Sequence, residues 1–169
     1  MNRLTSSILP ILAALSFSLS VAAIAQATQK DLTGTWALTS NYNMRQDGTR
    51  FEPFGSNPKG ILMFDAHGHF SAELMRADRA KFASNNRMQA TSDENKATVQ
   101  GTLAFFGTYS VNPSDHSFTL HFEGSSFPNW EGTDRKYILE DSAADELKYR
   151  SPPSSTGAAF AELVWKRVK

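Results

Sequence analysis

The chain has 169 residues, seventeen basic and seventeen acidic, and no cysteine. So even a balance leaves no basic surface of the kind that holds nucleic acid, and the missing thiols exclude disulfides, a thiolate nucleophile and cysteine-ligated metal. Stability must come from packing, for which twelve Phe, three Trp and four Tyr supply the bulk.

Met1, Asn2 and Arg3 open the chain, followed by an apolar run from Ile8 to Ile24 and the triplet Ala25-Gln26-Ala27. One early positive charge, an apolar stretch and a small-x-small end form a secretory signal, so residues 1–27 read as a signal peptide cleaved after Ala27. Serines and Pro10 interrupt the run and no basic stop follows it, which argues against a retained membrane anchor. The expected destination is periplasmic or secreted. Residues 28–169 are then long enough for one domain and short for two.

The mature part begins with Asp31-Leu32-Thr33-Gly34-Thr35-Trp36, and Trp36 is the expected anchor. The final strand brings Arg167 to the other end of the chain, where a cation stacked over the indole would tie the termini together. A first strand spans about Thr35 to Tyr42, with Trp36, Leu38, Ser40 and Tyr42 on one face by the period of two. Asp47-Gly48 and Phe54-Gly55-Ser56-Asn57-Pro58 are turn chemistry around a possible short strand at Thr49 to Pro53. Gly60 to Asp65 and His69 to Met75 form a hairpin about Ala66-His67-Gly68.

The period then changes. Residues 77–100 lack alternation, and Thr91-Ser92-Asp93-Glu94 fits a capping box, so short helices are expected near Asp78 to Ala83 and Ser92 to Gln100, ended by Gly101. Such an insert could lid one opening of a barrel. Strands resume at Thr102 to Val111, Ser117 to Glu123, Asp134 to Glu140, Glu146 to Ser151 and Phe160 to Arg167. About eight strands with one helical interruption predict an all-β fold, an antiparallel β-barrel.

The order and spacing of several short motifs narrow this. Gly34-x-Trp36, Asp47-Gly48, Pro58-x-Gly60, Arg76-x-x-Arg79, Gly107-x-Tyr109, His121, Pro128-x-Trp130-x-Gly132, Arg135 and Leu163-x-Trp165-x-Arg167 together resemble the bacterial lipocalin-like domain family. The resemblance covers essentially all of residues 28–169. It implies a calycin-type barrel with a cavity, and transfers architecture better than activity.

Two functional readings follow. In the first, the cavity binds a small hydrophobic or amphipathic molecule. Trp36, Phe105, Tyr109, Tyr137 and Trp165 are then cavity or floor residues, Trp130 stands at the mouth, and Arg79 with Arg76 stands at the rim, either for an anionic headgroup or as a salt-bridged solvated turn about Asp78. The same rings could instead plug a closed core. In the second, the barrel is a lipocalin-like enzyme of isomerase, cyclase or hydratase type. Its acid/base would be His121, pointing into the cavity beside Arg135 if Phe118, Leu120 and Phe122 form the outer layer. Asp65, His67 and His69 carry metal-ligand chemistry, but Gly68 breaks their shared face, so no metal site is assigned. No Gly-rich phosphate loop, nucleophile elbow or His-Glu-x-x-His is present, and no cofactor is expected.

Overall fold

The structure is a computed structural model that describes residues 28–169; the signal peptide read from residues 1–27 lies outside them. A single turn of helix, α1 (Gln29–Leu32), leads into nine strands: β1 (Gly34–Met44), β2 (Arg50–Phe51), β3 (Lys59–Phe64), β4 (His69–Met75), β5 (Thr102–Asn112), β6 (Ser117–Ser125), β7 (Asp134–Ala143), β8 (Glu146–Arg150) and β9 (Phe160–Arg167). All pair antiparallel in the order β2-β1-β3-β4-β5-β6-β7-β8-β9, and β1 pairs again with β9. That second pairing closes eight strands into a barrel and leaves β2 as a two-residue extension beside the end of β1.

Short turns at residues 65–68, 113–116 and 144–145 share one end with the start and finish of the described residues, whereas the long connections 45–58, 76–101, 126–133 and 151–159 crowd the other. The first end is closed. Trp36 is fully buried and its Nε1 donates to the Leu32 carbonyl at 2.8 Å, so α1 is pinned across the opening. The Arg167 guanidinium lies 4.0 Å over the Trp36 ring. Its nitrogens donate to the carbonyls of Thr33, Asp31 and Ala144 at 2.8, 2.9 and 2.7 Å. The stacking expected from the two ends of the sequence is therefore present. Gly34 is obligatory here: it has φ +136, and a Cβ would stand 2.5 Å from Arg167 Nη1.

Alternation holds where strands are unbroken. Phe118, Leu120 and Phe122 on β6 are buried, as are Phe70, Ala72 and Leu74 on β4. On β1 it fails half-way, and Ser40 and Tyr42 do not follow Trp36 and Leu38 inward. A β-bulge between Leu38 and Ser40 opposes an extra residue to β9, and the Thr39 hydroxyl fills the gap by donating to the Val164 carbonyl at 2.9 Å. Beyond the bulge Asn41 and Asn43 face the core, with 4% and 2% of their surface exposed. Tyr42 turns outward instead, under the Arg50 guanidinium at 3.7 Å, and donates to Glu162 at 2.6 Å.

Glu162 sits at the hub of that outer wall, also reached by Lys148 at 3.2 Å. Burial alone would raise its pKa, but hydrogen bonds from Tyr42 and Lys148, with the Lys148 charge, outweigh burial and hold the carboxyl below its ordinary value of 4.5. A depressed folded pKa stabilises the fold above the unfolded value, and that stabilisation is lost as pH falls through the folded one. Glu162→Gln is expected to lower Tm at neutral pH and to flatten the acid limb of the Tm–pH curve below about pH 4.5, read by calorimetry across that range.

The insert between β4 and β5 contains α2 (Ser92–Gln100), whose Thr91 and Glu94 form the expected capping box. No helix forms at Asp78 to Ala83. Residues 77–81 are all exposed, with no apolar stripe to bury, and Asp78 is held by Arg76 Nε and Nη2 at 2.9 and 2.8 Å in a turn. One turn of 3-10 helix, Arg87–Gln89, is the other helical piece of the insert. The expected strand at Thr49 to Pro53 shrinks to the two residues of β2.

Candidate ligand-binding site

Aromatic rings fill the barrel from the closed end upward. Phe64 packs on Tyr109 with centroids 4.6 Å apart and meets Phe118 edge-on at 5.9 Å. Phe118 stacks on Tyr137 at 5.1 Å and is met edge-on by Tyr149 at 5.1 Å. On the other wall Phe70, Phe122, Phe105 and Trp130 continue the series toward the open end. The lower barrel is plugged, and the free space lies above it.

A cleft of about 60 Å³ remains between Leu62, Leu74, Leu103 and Leu120 on one side and Asn41, Tyr149 and Leu163 on the other. That is room for on the order of four waters. Trp130 and Phe54 stand at its mouth. Phe54 also borders a solvent-open vestibule of about 390 Å³, with Val99 and Gln100 of α2 on its rim. Pro53, Leu103, Ser155 and Thr156 line both spaces, so the two lie side by side about Phe54. Together they reach the lower part of the roughly 300–1,000 Å³ range of small-molecule sites. The insert thus edges the opening rather than covering it, as Val99 is 74% exposed.

The chemistry of the cleft is neutral. Among the described residues that line it there is no Asp, Glu, Lys, Arg or His. Burial pushes the Tyr137 phenol up to about 12, against the opposing influence of Arg135, and raises Tyr149 well above the ordinary value. Both stay protonated at neutral pH. Asn43 is satisfied, its Nδ2 donating to Ser154 and Thr156 at 3.1 and 2.7 Å. Asn41 is not: its Oδ1 is buried without a hydrogen-bond partner.

The residues singled out in the sequence divide between this cleft and other places. Tyr137, Phe105 and Trp130 line it. Arg135 pairs across from Leu120 and so faces inward, its guanidinium 4.4 Å over the Trp130 ring and donating to the Pro153 carbonyl. It braces the two loops flanking the mouth without entering the walls of the cleft. Tyr109 faces inward but belongs to the closed end, where its hydroxyl donates to the Asp65 carbonyl at 2.7 Å. Arg79 stays outside at the base of the insert, bonded to Thr102 Oγ1 at 3.0 Å and to the Arg76 carbonyl at 3.1 Å. Trp36 and Trp165 are fully buried and neither lines the cleft.

His121 is the main correction. Phe118, Leu120 and Phe122 form the interior and not an outer layer, so His121 projects from the outside of the barrel. Its Nδ1 lies 2.7 Å from Asp134 Oδ1, and 48% of its side chain is exposed. A small closed barrel fills its interior with bulky apolar groups, which leaves the polar face of such a strand to water. No acid/base pair of His121 and Arg135 converges on the cleft. Asp65 is occupied as a turn clasp, accepting from the backbone of His67 and His69, each at 2.8 Å. Asn41, by contrast, was invisible in the sequence: the apparent phase of β1 assigns it to the outer face, and nothing in the local residues announces the bulge.

Residues 33–168 match the family model described as the lipocalin-like domain. The chain belongs to that family. No curated protein matches it significantly. Among solved structures it is similar to a redesigned β-barrel, at 12% identity and a TM-score of 0.43 over 84% of this chain and 96% of that one. It is also similar to a de novo designed fluorescence-activating β-barrel, at 16% identity and a TM-score of 0.42 over 83% and 96%. The lipocalin-like domain here is thus a closed eight-stranded barrel, sealed at its termini by Trp36 and Arg167 and open among its long loops.

Proposed function

We propose that this lipocalin-like domain is an exported carrier or sensor that binds one small amphipathic molecule in the cleft at its open end. The observation that carries the reading is the uncharged, mostly apolar cleft that lies beside a solvent-open vestibule about Phe54. Leucines on five strands give it apolar walls, and the seal at Trp36 leaves the loop end as the side of access. The inner cleft takes a slender alkyl or small ring, and a larger apolar ring system extends into the vestibule. Export is supported by the charge, apolar run and Ala25-Gln26-Ala27 end of residues 1–27. The enzyme reading loses its support, because His121 stands on the outer wall and both interior phenols are held neutral.

Native mass spectrometry of protein recovered from the periplasm or medium of its own source tests both parts. The expected spectrum shows a polypeptide mass that begins at Thr28 and a satellite peak for one bound small molecule. A chain retaining residues 1–27 would contradict export. Repeatedly empty protein, together with failure to take up any neutral hydrophobic dye, would contradict the carrier reading.

A further inference from the structure

We infer that the cleft selects an uncharged amphiphile bearing a hydroxyl or primary amide, and takes it head first, with the polar group hydrogen-bonded to Asn41. This rests on the proposed function above and specifies its ligand class. The cross-strand pairs Asn41↔Leu163 and Leu163↔Tyr149 place Asn41, Leu163 and Tyr149 side by side in one layer of the inner wall. The strand direction puts this layer deeper than Asn43, which lies nearer the loops. Asn41 is 96% removed from solvent by its 4% exposure, lines the cleft, and presents an amide oxygen that no protein group satisfies. A buried amide without a partner is costly, and a leucine there would pack at no such cost. Asn41 thus borders a cleft whose other walls are leucines, the rings of Tyr137 and Tyr149 and the hydroxyls of the 151–159 loop, and a ligand's donor brought to Oδ1 would answer it.

Charge sets the class. A carboxylate carried into the cleft would lose its water and meet no cation among the lining residues. An ammonium would likewise meet no acid. Arg135 is the competing candidate for an anion, since its Nε is buried and unpartnered. Its guanidinium, however, is fixed between the Trp130 ring and the Pro153 carbonyl and does not line the cleft. A hydroxyl or carboxamide can donate to Asn41 Oδ1 without a charge, and its apolar remainder then runs past Leu103 and Phe54 into the vestibule.

The test uses matched chains, n-octanol against octanoate, displacing nile red from the mature protein at neutral pH. Octanol is expected to bind at least about tenfold more tightly than octanoate, and Asn41→Leu to weaken octanol about tenfold. Affinity for nile red, which needs only apolar walls, should change less than about twofold. The same variant should keep or raise the Tm of the empty protein, because it removes an unsatisfied polar group; Asn41→Ala repeats the comparison if the leucine does not fold. Octanoate binding as tightly as octanol, or octanol binding undisturbed in both variants, would overturn the head-first assignment while the carrier reading stands. Failure of nile red and octanol alike to bind the wild type would remove the carrier reading and this one with it.

Discussion

Replacing Trp36 by alanine is expected to lower unfolding stability by about 4 kcal/mol, and replacing Arg167 by alanine by about 3 kcal/mol. Trp36 is fully buried, so truncation leaves a ring-sized void in the closed end and frees the Leu32 carbonyl. Arg167 holds three carbonyls from two segments far apart in sequence, and its loss leaves each to water or to no partner. The two act as one device, because the guanidinium stacks on the ring at 4.0 Å. The double variant should therefore cost about 1–2 kcal/mol less than the two single losses added. Arg167→Lys keeps a charge but not the planar fork that reaches three acceptors, and should recover less than half the loss. Urea denaturation of the four proteins gives the cycle; strict additivity would show that the stacking couples nothing.

Gly107→Ala is expected to be the second severe change, costing on the order of 3 kcal/mol or preventing folding. Gly107 sits at the irregularity between Phe106 and Gly107 where β5 pairs with β6. A Cβ there would collide with the His121 carbonyl oxygen and stand 2.9 Å from Glu123 N. Both obstacles are backbone, which cannot swing aside as a side chain can. The neighbouring Thr108→Ala, on the outer face, should cost less than about 1 kcal/mol and serves as the control. A Gly107→Ala protein with wild-type Tm would mean that β5 and β6 can separate locally without loss.

Most of the architecture was legible because a barrel strand records its two faces in its alternation. Phe118, Leu120 and Phe122 declare one face of β6 and His121 the other. Alternation alone does not say which face is inside, and the assumption that the aromatics formed an outer layer put His121 in the cavity. The filled interior of a narrow barrel reverses that choice. Trp36 and Arg167 were legible as a pair because residues at opposite chain ends must meet if the sheet closes. Asn41 was not, since one extra residue in β1 exchanges its faces from Ser40 onward and the bulge depends on pairing with β9. The helix expected at 78–83 failed for a related reason. Exposed polar segments take their form from local hydrogen bonds, here Arg76 to Asp78, which leave no periodic trace.

The account centres on one location for the ligand, between the leucines under Phe54, and methyl NMR during an octanol titration tests it most directly. The prediction is saturable shifts at Leu62, Leu74, Leu103, Leu120 and Leu163, with Leu32 at the closed end and Ile61 and Ile138 on the outer wall unmoved. Saturable binding that shifts Ile61 and Ile138 while the five cleft leucines stay still would contradict it.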